Sequence, residues 1–313
     1  MKIAFVFPGQ ASQYPGMGKE LCQQFPEASD VFKRADDALG FPLSRLCFEG
    51  PAEELNLTAN TQPAVLTTSA ACLEVIKSRG GPVPCAVAGH SLGEYTALVA
   101  AGSLLFEDAV RLVRKRGEYM QDAVPVGEGG MAAVMGISTE LVVEACLKAS
   151  VFGVIEAVNL NCPGQVVIAG DTAGLKAVEP LLKEAGARRV MPIPVSAPFH
   201  SSLMRPAGKR LAADLDRVTI ADPRIPVVAN VSADLVCTGP EVKELLIRQV
   251  FSPVRWEESI LKLISLGVDT FVEVGPGRVL SGLIKKISRD VLILNIEDRA
   301  SLEKILALTR EVS

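Results

Sequence analysis

The sequence predicts an α/β fold with a second, smaller domain, and three observations carry this prediction. Apolar runs of strand length alternate with segments of helical periodicity along most of the 313 residues, which is typical of a mainly parallel sheet covered by helices. A glycine- and proline-rich stretch interrupts the alternation after Asp122, and the residues beyond it follow a different order. The length also suits about two domains.

The first part of the chain alternates strands with helices. In chain order we predict a strand at Ile3–Phe7, a helix at Pro63–Lys77, a strand at Pro84–Ala88 and helices at Gly93–Ala101 and Phe106–Met120. The stretch AVPVGEGG then holds four glycines and prolines in eight residues. Because such a composition favours a turn or linker, we place a domain boundary there.

The next seventy residues read β-α-β-β-α-β, the order of a ferredoxin-like unit. The predicted elements are a strand at Met131–Met135, a helix at Thr139–Ala149, strands at Val154–Asn159 and Gln165–Ala169, a helix at Ala173–Ala185 and a strand at Arg189–Val195. We therefore expect a ferredoxin-like α+β small domain at residues 125–196, inserted into a larger domain.

After the insertion the first pattern resumes. It predicts a helix at Ala207–Asp216, strands at Ile225–Asn230 and Thr270–Val274, and helices at Val242–Phe251, Glu257–Leu266 and Leu280–Ile287. Residues 1–124 and 197–313 would then form one discontinuous catalytic α/β domain. A cleft between the two domains is the natural place for a ligand.

Composition excludes several classes of function. The 32 Lys and Arg residues nearly balance 36 Asp and Glu, so the basic excess usual in nucleic-acid binding is absent. The first apolar run has only five residues before Pro8, too few for a signal-peptide core, and no later stretch reaches membrane length. Seven scattered cysteines without a C-x-x-C spacing indicate neither a zinc site nor a disulfide framework. We expect reduced thiols in the cytoplasm, and no membrane or nucleic-acid partner.

The strongest local motif is Gly89-His90-Ser91-Leu92-Gly93, a G-x-S-x-G between a predicted strand and a predicted helix. This context matches the nucleophile elbow of an α/β-hydrolase-like sheet, in which small flanking residues leave the serine hydroxyl open to attack a substrate. The backbone N–H after the serine would face the oxyanion of a tetrahedral intermediate. The pattern also occurs by chance, so its flanking strand and helix decide the interpretation in favour of a nucleophile.

Histidine chemistry is limited to His90 and His200, the only two in the chain, which also argues against a multi-histidine metal site. His90 adjoins Ser91 on a sharp turn, where neighbouring side chains diverge, so we assign it a structural or lining role. His200 follows a predicted strand end and is the better general base; a helical turn starting near Ser201 would lower its pKa. A lone histidine is more often structural, and only its combination with Ser91 favours catalysis.

Arg116 falls within the apolar face of its predicted helix, whereas its basic neighbours fall outside that face. A buried guanidinium is costly unless an anion meets it. Three interpretations remain open: a structural pair with a buried acidic side chain, a side chain that extends along the apolar surface to solvent, or capture of a substrate carboxylate through two parallel hydrogen bonds.

Seven segments together resemble the malonyl-CoA:acyl carrier protein transacylases. In chain order they are FPGQASQ, GHSLGE, VRKRGEYM, NCPGQVVIAG, VSAPFHSSLM, QVFSPVRW and VEVGPG. Each is weak alone, but they occur in the family's order over nearly the whole chain. The resemblance implies an acyltransferase of fatty acid synthesis that carries malonyl groups from malonyl-CoA, through a serine ester, to the phosphopantetheine thiol of an acidic, transiently docked acyl carrier protein.

The resemblance also implies a role for each matching position. Ser91 matches the nucleophile, His200 the base and acid, Arg116 the partner of the malonyl carboxylate, and Gln249 the residue whose backbone carbonyl orients the histidine. Gln10 and Leu92 match the oxyanion-hole N–H donors. The positions that match the cleft wall or its specificity pattern are Asn159, Asn161 and Phe199. We also expect His90 to line the cleft. No cofactor and no metal are implied, and we expect a monomer.

Three alternatives stay open at this point: a serine thioesterase or esterase that hands the acyl group to water, a trans-acting malonyltransferase of a polyketide pathway, and a catalytically silent module that only binds carrier proteins or acyl-CoA. A docking surface for an acidic carrier requires a local basic patch on this chain of net charge −4. The candidates are Arg188, Arg189, Lys285 and Lys286.

Overall fold

The computed structural model describes residues 1–195 and 197–311. Ser196, the last residue of the predicted insertion, and residues 312–313, the end of the predicted large domain, lie outside the described residues. Among the described residues, no helix is both long enough and apolar enough to cross a membrane.

The described strands form two separate sheets. In chain order they are β1 (Ile3–Phe7), β2 (Ala86–Gly89), β3 (Gly129–Met135), β4 (Ile155–Cys162), β5 (Gln165–Asp171), β6 (Arg189–Ile193), β7 (Val227–Val228), β8 (Leu235–Val236), β9 (Thr270–Val274) and β10 (Leu292–Ile296). The helices are α1 (Lys19–Gln24), α2 (Pro26–Leu39), α3 (Leu43–Glu49), α4 (Ala52–Leu55), α5 (Thr58–Ser78), α6 (Gly93–Ala100), α7 (Phe106–Asp122), α8 (Thr139–Ala149), α9 (Thr172–Glu184), α10 (Arg205–Leu215), α11 (Gly239–Gln249), α12 (Trp256–Ser265), α13 (Val279–Ile287) and α14 (Arg299–Glu311).

The larger sheet has the strand order β10-β9-β1-β2-β7-β8. Every neighbouring pair is parallel except β7 and β8. The central strands β1 and β2 are buried along their whole length, because helices cover both faces of a parallel sheet. The predicted α/β class with a mainly parallel sheet is confirmed.

The smaller sheet has the order β4-β5-β3-β6, with every neighbouring pair antiparallel. With α8 and α9 it gives the predicted β-α-β-β-α-β order, and all its strands lie inside the predicted insertion. It has its own core, which includes Val134, Val142, Ile168, Val178 and Leu182. A separate hydrophobic core is expected of an inserted domain.

A loop of the larger domain pairs with β4 of the smaller sheet. Val254, in the loop before α12, donates its backbone N–H to Val158 O at 2.8 Å and accepts from Leu160 N at 2.9 Å. These two hydrogen bonds form an isolated parallel bridge between Val254 and Asn159 of β4. The inserted unit is thereby fixed against the carboxyl-terminal half of the chain.

Several elements differ from the sequence prediction. The helix predicted to begin at Pro63 begins at Thr58; the Ala59 carbonyl, which a proline four residues later cannot satisfy, accepts from Arg114 Nη1 at 3.2 Å. The strand predicted at Ile225–Asn230 shrinks to two residues, in a segment where Pro226 lacks a backbone N–H.

Other elements have no counterpart in the prediction. No element was predicted between Phe7 and Pro63, yet α1 to α4 form there. Three of these four helices have seven residues or fewer, too few to show a clear helical period. The short strand β8, the edge strand β10 and the final helix α14 were likewise not predicted.

Candidate active site

Ser91 lies on the sharp turn between β2 and α6, with a φ of 53°, a left-handed conformation that non-glycine residues rarely adopt. The flanking glycines make this turn sterically feasible. A Cβ on Gly89 would lie 2.0 Å from backbone atoms of Gly93, and one on Gly93 would lie 2.1 Å from Phe7 O. The predicted elbow therefore depends on both glycines, because strand, turn and helix approach one another too closely for a side chain.

Ser91, His200 and Gln249 form a hydrogen-bonded chain. Ser91 Oγ lies 2.8 Å from His200 Nε2, and His200 Nδ1 lies 2.8 Å from the backbone carbonyl oxygen of Gln249. Since a carbonyl can only accept, Nδ1 carries the hydrogen and Nε2 is free to accept the serine proton. This is the tautomer that a general base needs.

The His200 imidazole is held neutral by its surroundings. Its pKa is lowered to about 3. Burial is the largest cause, and the nearby positive charge of Arg116 is the second. A helical turn does begin near the predicted position, but the leading causes of the low pKa are burial and the charge of Arg116. His200 is followed by a short 3-10 turn at Ser202–Met204, and the strand before it, β6, belongs to the antiparallel sheet.

The two residues predicted to supply the oxyanion-hole N–H groups both lie at the cavity. Gln10, beyond the end of β1, and Leu92, directly after Ser91, both line the cavity next to the serine. In the part of the chain that the structure describes, neither N–H donates a hydrogen bond to a protein acceptor. The neighbouring N–H of Ser91 is occupied, because it donates to Asn230 Oδ1 at 2.7 Å.

Arg116 is 1% exposed and its guanidinium lies beside the nucleophile. Nη2 donates to Ser91 Oγ at 3.1 Å and to Gln249 Oε1 at 3.0 Å, and Nη1 donates to Gln62 Oε1 at 2.8 Å. Within the described ranges no carboxylate forms an ion pair with Arg116, and its Nε has no hydrogen-bond partner. The structure therefore does not contain the direct acidic pair that one interpretation required.

The remaining predicted site residues line the same cavity of about 260 Å³. They are His90, Asn159, Asn161 and Phe199. His90 does not contact the serine hydroxyl; its Nε2 lies 2.9 Å from Asn161 Oδ1 across the cleft, and its ring packs edge-on against Trp256. Asn159 and Asn161 are on β4, so the inserted unit supplies one wall.

A buried polar network beneath the elbow was missed by the sequence argument. Asn230 Nδ2 donates to Gly89 O at 2.7 Å, and its backbone N–H donates to Glu94 Oε2 at 3.0 Å. The Gln249 side chain donates to Ser91 O at 2.9 Å and to Glu94 Oε2 at 2.8 Å. Glu94 gave the available signal, because it is a charged residue directly before the mostly apolar segment Tyr95–Ala100 beside the elbow.

The arrangement can form and cleave an ester on Ser91. It combines a hydroxyl, a neutral imidazole base, two free backbone donors and a buried cation in one cavity. Among the described residues there is no group of three or more His, Cys, Asp or Glu side chains that could hold a metal ion.

The whole chain is similar to known acyltransferases. The model of the acyl transferase domain family matches residues 4–306. The chain is 52% identical to the malonyl CoA-acyl carrier protein transacylase of Bacillus subtilis (strain 168), covering 99% of this chain and 98% of the relative.

Two solved structures are also similar. The acyl-carrier-protein S-malonyltransferase of Burkholderia pseudomallei 1710b is 48% identical, with a TM-score of 0.96, and the match covers 98% of this chain and 100% of that one. A malonyl-transacylase in complex with its type II PKS acyl-carrier protein is 42% identical, also with a TM-score of 0.96, at 98% and 100% coverage. On the family match and these identities, the chain belongs to the acyl transferase family.

Proposed function

We propose that this chain transfers the malonyl group from malonyl-CoA to the phosphopantetheine thiol of an acyl carrier protein through a malonyl ester on Ser91. One observation carries the choice of acyl group: Arg116 Nη2 lies 3.1 Å from Ser91 Oγ, inside a buried site. A short acyl group on Ser91 that ends in a carboxylate would bring that carboxylate to the guanidinium. An acyl group without a charge would leave this buried cation without an anionic partner.

The first half-reaction loads the enzyme. His200 Nε2 takes the Ser91 proton as Oγ attacks the thioester carbonyl carbon, and the backbone N–H groups of Gln10 and Leu92 hold the oxyanion. The intermediate collapses with cleavage of the C–S bond. The leaving CoA sulfur takes the proton from His200, and malonyl-Ser91 remains.

The second half-reaction runs the same steps with the carrier thiol. His200 accepts the thiol proton, the sulfur attacks the ester carbonyl, and the C–O bond to Ser91 breaks. The proton then passes from His200 to Ser91 Oγ, which restores the free enzyme. Both half-reactions balance with these side chains alone, and for this reason we propose no cofactor.

The carrier protein would dock at the rim of the cavity on a basic patch. The four predicted basic residues are all exposed: Arg188, Arg189, Lys285 and Lys286. Lys286 Nζ donates to Gln165 Oε1 at 2.9 Å, Gln165 lines the cavity, and both Gln165 and Arg189 pair with Met135 across the smaller sheet. These contacts put Lys286 and Arg189 near a residue that lines the cavity, which supports docking of an acidic carrier on this side.

Reversing this charge should affect only the second half-reaction. In the double variant Arg189→Glu/Lys286→Glu we expect transfer to the carrier to slow by about tenfold, because complementary charge mainly raises the association rate. Malonylation of Ser91 by malonyl-CoA serves as the internal control. Unchanged transfer at low ionic strength would remove these residues from the docking surface.

The decisive experiment is intact-mass measurement after addition of malonyl-CoA. We expect one malonyl adduct on the wild-type chain and none on Ser91→Ala, and transfer of the adduct to a carrier thiol. A chain without any adduct would be a silent binding module. Release of free malonate in preference to transfer would instead indicate a thioesterase.

The setting of the reaction is also a proposal. We place the chain in the cytoplasm as a monomer that supplies fatty acid synthesis, and its seven free cysteines suit a reducing compartment. Supply of a polyketide pathway is the alternative, since one similar structure holds a type II PKS carrier. Competition between the two kinds of carrier for malonyl-Ser91 would discriminate, and sedimentation would give the oligomeric state.

A further inference from the structure

Arg116 is connected to a carboxylate that does not reach the cavity. Arg116 Nη2 donates to Gln249 Oε1 at 3.0 Å, and Gln249 Nε2 donates to Glu94 Oε2 at 2.8 Å. Gln249 is fully buried and Glu94 is 3% exposed; neither is among the residues that line the cavity of the described structure. One side-chain amide therefore bridges the guanidinium and the carboxylate.

The surroundings permit only one orientation of this amide. Its nitrogen faces two acceptors: Glu94 Oε2, which also accepts from the backbone N–H of Asn230, and the Ser91 carbonyl oxygen at 2.9 Å. Its oxygen faces Arg116, which can only donate. A glutamine at position 94 could both donate and accept, so the preference for one amide orientation would be weakened.

Both ends of the bridge are held by other contacts. Glu94 Oε2 also accepts from the backbone N–H of Asn230 at 3.0 Å, and Arg116 Nη1 donates to Gln62 Oε1 at 2.8 Å. The two charges also act on each other: burial raises the pKa of Glu94 to about 7, and the positive charge of Arg116 opposes that rise. Glu94 is thus the acidic group nearest to Arg116 in the hydrogen-bond network, although the two do not touch.

We propose that Glu94 is a positioning residue for acyl-group recognition, which acts through the Gln249 amide to hold the Arg116 guanidinium in the orientation that binds a carboxylate beside Ser91 Oγ. This inference rests on the proposed function, because it assumes that the free carboxylate of a malonyl group meets Arg116. Gln62 and the bridge hold the two terminal nitrogens of the guanidinium. Loss of the bridge would leave Arg116 held through Gln62 and through Ser91 itself.

The test is the variant Glu94→Gln, assayed with malonyl-CoA and with acetyl-CoA as donors. We expect the ratio of kcat/KM for malonyl-CoA to that for acetyl-CoA to fall by about tenfold, the size usual for coupling within one hydrogen-bond network. The acetyl group has no carboxylate, so kcat/KM for acetyl-CoA should change by less than about threefold. A merely structural role would lower both values together.

Glu273→Gln is a matched control. Glu273 is also a fully buried glutamate, at the end of β9, and it accepts from the backbone N–H groups of Leu280 and Ser281 without any contact to Arg116 among its described hydrogen bonds. This variant should leave the ratio unchanged. An equal loss for both thioesters in Glu94→Gln, or an unchanged ratio, overturns the proposal.

A second variant covers the case in which Glu94→Gln does not fold. Gln249→Met removes the amide but keeps the backbone carbonyl that contacts His200 Nδ1, and it should lower the same ratio; an unchanged ratio again overturns the proposal. Intact-mass measurement on the wild type distinguishes a failure of the proposed function from a failure of the role proposed for Glu94. A missing malonyl adduct contradicts the proposed function and this proposal with it, whereas an adduct with an unchanged ratio contradicts only the role of Glu94.

Discussion

The two walls of the cavity differ in how firmly their polar groups are held. On the wall built from the larger sheet, the Arg116 guanidinium makes three hydrogen bonds, and the elbow at Ser91 is tied on both sides to Asn230 and Gln249. On the wall from the inserted unit, Asn161 makes one contact with His90, and Asn159 Oδ1 has no partner among the described residues.

This difference indicates that the two walls have different roles. Transition-state charge is stabilised best by groups that are already in place before the reaction, and the wall of the larger sheet meets that requirement. A wall with few polar contacts can instead adapt to the acyl donor. His200 lies between the two, because Gln249 O holds its ring while Glu156 of the inserted sheet accepts from Ser202 N at 2.9 Å and from Ser202 Oγ at 2.6 Å.

The largest effect should come from removing the cation of the firmly held wall. In Arg116→Ala we expect kcat/KM for malonyl-CoA to fall by about 10²-fold, because a charge-assisted hydrogen-bonded pair contributes about 1.5–3 kcal/mol. Acetyl-CoA should be affected much less. Steady-state kinetics with both thioesters measure this, and equal losses would remove Arg116 from carboxylate recognition.

The next effect concerns the free energy of unfolding, which should depend on pH through His200. The pKa of His200 is about 3 in the folded chain and about 6.5 when unfolded, so the unfolded chain binds more protons between these values. The stabilisation that neutral His200 provides is complete above pH 6.5 and falls by about 1.4 kcal/mol per pH unit as the pH drops towards 3.

Urea unfolding of the wild type and of His200→Gln at pH 7 and pH 5 measures this. Glu94 acts in the opposite direction between pH 4.5 and 7, because its folded pKa is raised to about 7, but both chains retain it. The difference between the chains therefore isolates His200. A difference that does not change with pH would show that the imidazole titrates normally in the folded state.

The smallest effect should come from the wall of the inserted unit. In Asn161→Ala we expect a loss of about threefold in kcat/KM for malonyl-CoA, the size expected for one net hydrogen bond. Glu156→Gln is a comparison variant in the same sheet. It alters the contact to Ser202, and Glu156 does not line the cavity. A loss for Asn161→Ala as large as that for Arg116→Ala would break the distinction between the walls.

The sequence was most informative where residues act locally. The elbow could be predicted because strand, glycines, serine and helix are consecutive, and Arg116 because a charge inside an apolar helical face is unusual. The Ser91–His200 pair rested on elimination, since the chain has only two histidines. The βαββαβ order followed from the changing period of the apolar residues.

The parts that could not be predicted depend on contacts between distant segments. Asn230 and the Gln249 side chain have no local signal, because what matters is that they meet Ser91 from 139 and 158 residues away. The same holds for the leading causes of the low pKa of His200, which are burial and the charge of Arg116. The domain boundaries and the roles of the lining residues remain predictions.

The positive φ angles have a consequence for protein engineering. Ser91 has a φ of 53° and His200 a φ of 66°, and each left-handed non-glycine residue costs about 1–2 kcal/mol of folding free energy. The two residues that carry the proposed chemistry are therefore both conformationally strained. Glycine at Ser91 would relieve the strain there but remove the nucleophile, so any stabilising screen of this fold must also select for acyl transfer. At His200, which is buried and hydrogen-bonded to Gln249 O, glycine would also leave a cavity and an unpartnered carbonyl.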